Sequence, residues 1–161
     1  MVLLLRTMAD PKRPKLFFFD KKNRIGDGVR EYADNLFDEK NVFYLPDGES
    51  KITEKIELLM GKVLLAHTAG EPFCIVTCNG EPVPFGDDGK DMNPGEIVTK
   101  MISGLKDVPI IVYCGDEDYA KKTWGKNYPN ITITQEYSVL VDNLIKFAKK
   151  FAPKESEAVI I

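Results

Sequence analysis

Lys15-Leu16-Phe17-Phe18-Phe19-Asp20 sets four apolar residues in succession between a lysine and an aspartate. A run this short and this continuously apolar reads as a strand buried on both faces, because a half-exposed strand would alternate apolar with polar side chains. Four further runs share the character: Val42–Leu45, Phe73–Thr77, Ile110–Cys114 and Ile131–Gln135. Each ends at a polar or turn-forming group: Asp20, Pro46 with Asp47, Thr77 with Cys78, Cys114 with Gly115, and Gln135.

Helical patterns fill the gaps. Val29, Tyr32, Ala33, Leu36 and Phe37 recur at helical spacing behind Gly26 and Asp27. From Ser50 to about Ala69, Ile52, Ile56, Leu59 and Val63 make one stripe, which Leu58, Leu64 and Leu65 widen into a broad apolar face; Gly70 stops the helix. So wide a face is expected in the core, with any exposed remainder left for a partner. A third helix is expected from Asn93-Pro94-Gly95-Glu96 to Leu105, a short fourth over Glu117–Trp124, and a strong last one over Ser138–Phe151, striped by Leu140, Leu144, Phe147 and Phe151.

Strict alternation of strand and helix predicts an α/β fold: a single three-layer, doubly wound, flavodoxin-like domain on a five-stranded parallel sheet of order 2-1-3-4-5. The first, third and fourth runs are the most apolar and belong in the middle, with Val42–Leu45 and Ile131–Gln135 at the edges. Residues 1–14 read as an N-terminal extension, with Met8 as a second candidate start, 15–151 as the domain and 152–161 as a flexible tail. At 161 residues, 43% of them apolar, the chain has the size and core of one domain.

Composition narrows the partners. A net charge of −3 and a pI near 5.3 argue against a phosphate-binding nucleic-acid surface. Met1–Leu5 is too short to span a membrane. Cys74, Cys78 and Cys114 form neither a CxxC pair nor a histidine-bearing cluster, and read as free thiols of a cytoplasmic protein. His67, the only histidine, falls near a helix end and is read as a surface residue rather than a catalytic base.

In a doubly wound sheet the ligand-facing groups gather at the carboxyl ends of the strands. That makes Asp20, Thr77, Cys78, Cys114 and Gln135 the candidate pocket. The segment 78–93 carries Asp87, Asp88 and Asp91, and with Asp20 these are the weak candidates for a hard cation; the spacing does not complete an EF-hand. There is no GxGxxG or P-loop, and Ile25-Gly26-Asp27-Gly28 is a poor phosphate loop. No cofactor is expected.

Through its element order and strand-end positions, from Lys15 to Phe151, the chain resembles the receiver domains of response regulators. Leu16-Phe17-Phe18-Phe19-Asp20 looks like the family's first strand ending in metal-binding acids, with Lys21 where a second acid often stands. The resemblance implies a phosphoacceptor aspartate after the third strand, where this chain has Thr77 or Cys78. It implies a hydroxyl residue after the fourth strand, where Tyr113 or Cys114 stands, and a lysine where Gln135 stands. Aspartyl phosphorylation needs a carboxylate nucleophile, a carboxylate-held cation and a balancing positive charge. The likeness is therefore to a degenerate receiver that binds proteins without phosphoryl chemistry, through a face bearing Tyr119, Trp124 and Tyr137. A protein partner is expected, a homodimer among the options. The alternative is a small α/β enzyme or binding domain with a nucleotide or sugar ligand at the strand ends, where Asp20, Glu81 and Asp116 supply carboxylates and Tyr119 or Trp124 stacks on a base.

Overall fold

A computed structural model describes residues 14–22, 26–48, 51–77, 105, 107–113, 118, 121 and 130–151. Five strands, β1 (Lys15–Lys21), β2 (Val42–Leu45), β3 (Phe73–Thr77), β4 (Ile110–Tyr113) and β5 (Ile131–Thr134), form one sheet in the order β2-β1-β3-β4-β5. Every pairing is parallel. This is the flavodoxin-like order expected from the apolar runs, with the two weakest runs at the edges.

Three described helices complete the layers: α1 (Asp27–Phe37), α2 (Ile52–Thr68) and α3 (Tyr137–Lys150). A 3₁₀ turn, Glu39–Asn41, leads from α1 into β2. The alternating side chains of β1 divide the core in two. Phe17 and Phe19 join Ile56, Leu59, Met60 and Val63 of α2, together with Ile75, Ile110 and Val112. Leu16 and Phe18 join Val29, Ala33 and Phe37 of α1 and Leu140, Leu144 and Phe147 of α3, with Cys74, Val76 and Ile111. A strand with apolar residues on both faces is what a helix layer on each side requires. Burying each large side chain contributes roughly 1.5–3 kcal/mol.

The end of α2 follows from Gly70. This glycine adopts φ +68, its N–H reaches the His67 carbonyl at 3.1 Å, and the N–H of Glu71 reaches Ala66 at 3.0 Å. The two bonds make a Schellman closure, which needs a left-handed residue at that point. The same turn aims the chain into β3, whose neighbour β1 is anchored beside it by the Lys15–Glu71 ion pair at 2.6 Å.

One expectation is corrected. Leu58, Leu64 and Leu65 do not widen the buried face of α2; they are 60%, 49% and 73% exposed. One helix can turn only about a third of its circumference to a sheet, and Ile56, Leu59, Met60, Val63 and Ala66 already fill that arc. In β5, at the sheet edge, Thr134 is buried and Ile131, Thr132 and Ile133 are half-buried.

Among the described residues, no helix is long and apolar enough to cross a membrane. The expected helices over 93–105 and 117–124 fall almost wholly outside the described residues, as do the extension 1–13, the segment 78–93 and the tail 152–161.

Candidate functional site

The carboxyl ends of β1, β3 and β4 lie side by side, and the register fixes which residues share a level. Phe19 pairs with Thr77, and Thr77 pairs with Val112. Tyr113 then pairs with Thr134 on β5. Thr77 therefore closes the central strand between two apolar neighbours. It is 0% exposed, and its Oγ1 is buried with no hydrogen-bond partner. A hydroxyl left unpaired in a protein interior costs about 1–3 kcal/mol, so a group of this kind asks for an explanation.

Asp20 stands one residue beyond Phe19 and is half-buried. The pairing of β1 with β2 is regular at Leu16–Val42 and Phe17–Phe43 but shifts before Lys21–Leu45. The extra residues of β1 are thus taken up between Phe17 and Lys21, a stretch that includes Asp20, and such strand-end irregularities re-aim side chains. Gln135 follows β5 and is exposed. With strands about 4.8 Å apart, three steps across the sheet put it roughly 14 Å from the end of β1. Asp20 and Thr77 are brought to adjacent strand ends, and Gln135 is held well to one side.

The remaining candidates, Cys78, Cys114, Tyr119, Trp124, Asp87, Asp88 and Asp91, lie outside the described residues. Among the described residues no group of three or more histidine, cysteine or acidic side chains could hold a metal ion. Cys74 is buried and free, and burial pushes its thiol well above the ordinary cysteine range, so it is an inert core thiol. Tyr137 is 42% exposed at the start of α3. Its hydroxyl lies 3.0 Å from where a Cβ on Gly28 would stand. Gly28, which looked like part of a poor phosphate loop, thus lies against the tip of this tyrosine where α3 packs on α1. Thr134 has a role too: its Oγ1 accepts the Glu136 N–H at 3.0 Å, tying the end of β5 to the start of α3.

Two features of this end of the molecule were not read from the sequence. The first is Lys55, in the opening turn of α2, which is only 6% exposed and donates through Nζ to the Gly48 carbonyl at 2.7 Å. A buried ammonium needs such an acceptor, and the bond ties the turn after β2, where Gly48 takes φ +115, to the start of the helix. The second is a polar cluster on the α1 side. Tyr44 stacks on Phe18 at 5.2 Å, with its hydroxyl buried and unpartnered, and Lys22 lies 5.7 Å above its ring. Burial, reinforced by the negative charge of Asp34, pushes the Tyr44 phenol up to about 12, against the opposing pull of Arg30. Arg30 pairs with Asp27, while its buried Nε has no partner. Lys22, Asp27, Arg30, Glu31, Asp34 and Asn35 line a cavity of about 420 Å³ there. No sequence motif marks this cluster, because it forms only when β2 and α1 come together.

At the opposite, amino end of the sheet, a cavity of about 550 Å³ lies among His67, Glu71, Phe73, Asp107, Phe147 and Lys150. His67 is exposed in the last turn of α2, its ring edge-on to Phe73 at 6.4 Å. The histidine is therefore a helix-end residue at the far end of the sheet from Thr77 and Asp20. Compared with known proteins, the chain matches no family model, no curated protein and no solved structure.

Proposed function

We propose that the chain is a non-catalytic, protein-binding module: a receiver-like domain that has kept the architecture and lost the phosphoryl chemistry. The observation that carries this is Thr77. It ends the central strand, where a receiver has its phosphoacceptor aspartate, and it is 0% exposed. A hydroxyl enclosed to that degree, with no base bonded to it, has neither the access nor the activation that attack on a phosphoryl donor needs. Gln135 is neutral and exposed, so it supplies no charge to balance a phosphoryl group there. A cytoplasmic setting accords with the buried free thiol of Cys74. Tyr137, exposed at the start of α3, belongs to the partner face together with Tyr119 and Trp124.

The test is exposure to acetyl phosphate, and separately to beryllofluoride with Mg²⁺, followed by intact-mass spectrometry and amide spectra. No phosphoryl adduct and no shift around Thr77 is the expected result. A phosphorylated species on Asp20 or on an aspartate of 78–93 overturns the proposal.

A second reading, a small ligand at the strand carboxyl ends, draws on the same residue. Thr77 Oγ1 lacks a hydrogen-bond partner, and a nucleotide or sugar hydroxyl is one group that could complete it. Native mass spectrometry of freshly purified protein separates the readings: a co-purifying nucleotide or sugar lost in Thr77→Val favours the ligand site.

A further inference from the structure

Of the five large apolar side chains that stand exposed among the described residues, Leu58, Leu64 and Leu65 all lie on α2. The outward stripe of that helix is Glu54, Leu58, Gly61, Leu65 and Thr68, every one of them exposed. Their spacing alternates between four and three residues, the spacing of the seam positions of a two-stranded coiled coil. Gly61 stands in the middle. A Cβ built on it meets nothing within 4 Å, so no packing inside the chain calls for glycine there. An interior helical glycine costs about 1 kcal/mol relative to alanine, and its use at a helix crossing is to let a second backbone come close.

We infer that this face is where two copies of the chain meet, their α2 helices side by side and parallel about a two-fold axis. Charge selects both the partner and the direction. In a parallel seam the residue just before one leucine faces, on the other helix, the residue five positions further on. Here Glu57 precedes Leu58, and the residue it faces is Lys62 of the second copy, a pair that the two-fold axis makes twice. An antiparallel seam puts each flanking position against its own kind, so Lys62 faces a lysine and Glu57 faces Leu64 or a second Glu57. In the single chain the Lys62 ammonium lies 5.2 Å above the Phe43 ring, at the surface and free to be redirected. One pair of short helices buries less than the ~1,200 Å² of a standard stable interface, so the dimer is weak, with a Kd on the order of micromolar or above. The surface lies on the outside of α2 and involves neither Thr77 nor Asp20, so the inference holds or fails independently of the strand-end reading.

Sedimentation velocity of the full chain from low micromolar to several hundred micromolar tests it. The expected result is a concentration-dependent monomer–dimer equilibrium that Leu58→Glu and Leu65→Glu each shift to monomer. Lys62→Glu weakens association by about tenfold or more, and adding Glu57→Lys to it restores the dimer. Gly61→Gln keeps the chain folded, since its side chain has open space, while removing the dimer. Urea unfolding of each variant verifies the fold. A chain that stays monomeric across the whole range overturns the inference, as does a dimer that survives both leucine substitutions.

Discussion

Replacing Thr77 by valine exchanges a buried hydroxyl for a methyl of similar size at the end of the central strand. Nothing bonds to Oγ1 and the residue is 0% exposed, so the substitution breaks no hydrogen bond and exposes no surface. The unpaired hydroxyl costs about 1–3 kcal/mol, and the added methyl gains up to about 0.8 kcal/mol of burial. A stabilisation of about 1–2 kcal/mol is expected once imperfect fit of the valine is allowed for. With a urea m-value of about 2 kcal/mol/M, the unfolding midpoint rises by about 0.5–1 M at constant m. Thr77→Ser is the control: it keeps the unpaired hydroxyl and opens a methyl-sized gap, so it loses about 1 kcal/mol. Thr77→Asp places a carboxylate in an enclosed site with no partner, and destabilises by about 3 kcal/mol or more. If Thr77→Val instead destabilises by more than about 1 kcal/mol at unchanged m, the hydroxyl is bonded to a water or ligand in solution. The hydroxyl would then not be idle, and a ligand at the strand ends would be favoured.

Three further outcomes rest on separate features. The Tyr44 phenol binds its proton more tightly in the folded chain, at about 12, than in the unfolded chain near 10, so the folded state gains from it at all pH below about 10 and loses that gain as pH rises from there towards 12. Tyr44→Phe should flatten this alkaline fall in unfolding midpoints, and an unchanged fall would assign it elsewhere. Asp38, which closes α1, is the non-glycine residue with positive φ, at 73, among the described residues. Asp38→Gly should raise stability by about 1 kcal/mol in thermal or urea unfolding, whereas a loss would mean that the interactions of the Asp38 side chain, the Lys40 pair at 3.8 Å among them, outweigh the backbone strain. Asn130 donates through Nδ2 to the carbonyls of Leu105 and Val108 at 3.2 and 2.6 Å, fastening the approach to β4 against the start of β5. Asn130→Ala should cost about 1–3 kcal/mol and speed amide exchange at Ile110, whose N–H is held by the Asn130 carbonyl.

The strands were legible because each is short, apolar and cut off by a polar residue; β2 and β3 begin and end where their sequence runs do. Helix existence was legible for the same reason. What sequence could not supply was the side of α2 on which each leucine lies relative to the sheet. Leu58 and Leu65 are as apolar as Leu59, and only the angle around the helix axis separates them; the stripe Ile56, Leu59 and Val63 fixed that angle, while the surplus leucines blurred it. The strand-end site divides along a similar line. That Thr77 and Asp20 would come together follows from strand order alone. That the Thr77 hydroxyl would be sealed and unpartnered depends on Phe19 and Val112 standing level with it, a matter of register. Lys55 and the Arg30–Tyr44–Asp34 cluster escaped notice because neither carries a motif, and each is assembled only when neighbouring elements fold against one another.

These two kinds of residue, the sealed threonine and the displaced leucines, bear on function in opposite ways. Enclosure keeps the Thr77 hydroxyl from solvent at the end of the central strand. Exposure does the reverse for Leu58 and Leu65. Apolar surface that contributes nothing to the fold of the single chain is retained at a cost in solubility, and a surface with complementary charge on its flanks has a physical use only when a second surface covers it. The back of α2 thus carries three of the five large apolar side chains exposed among the described residues, and the dimer proposed for that face stands or falls without reference to the strand ends.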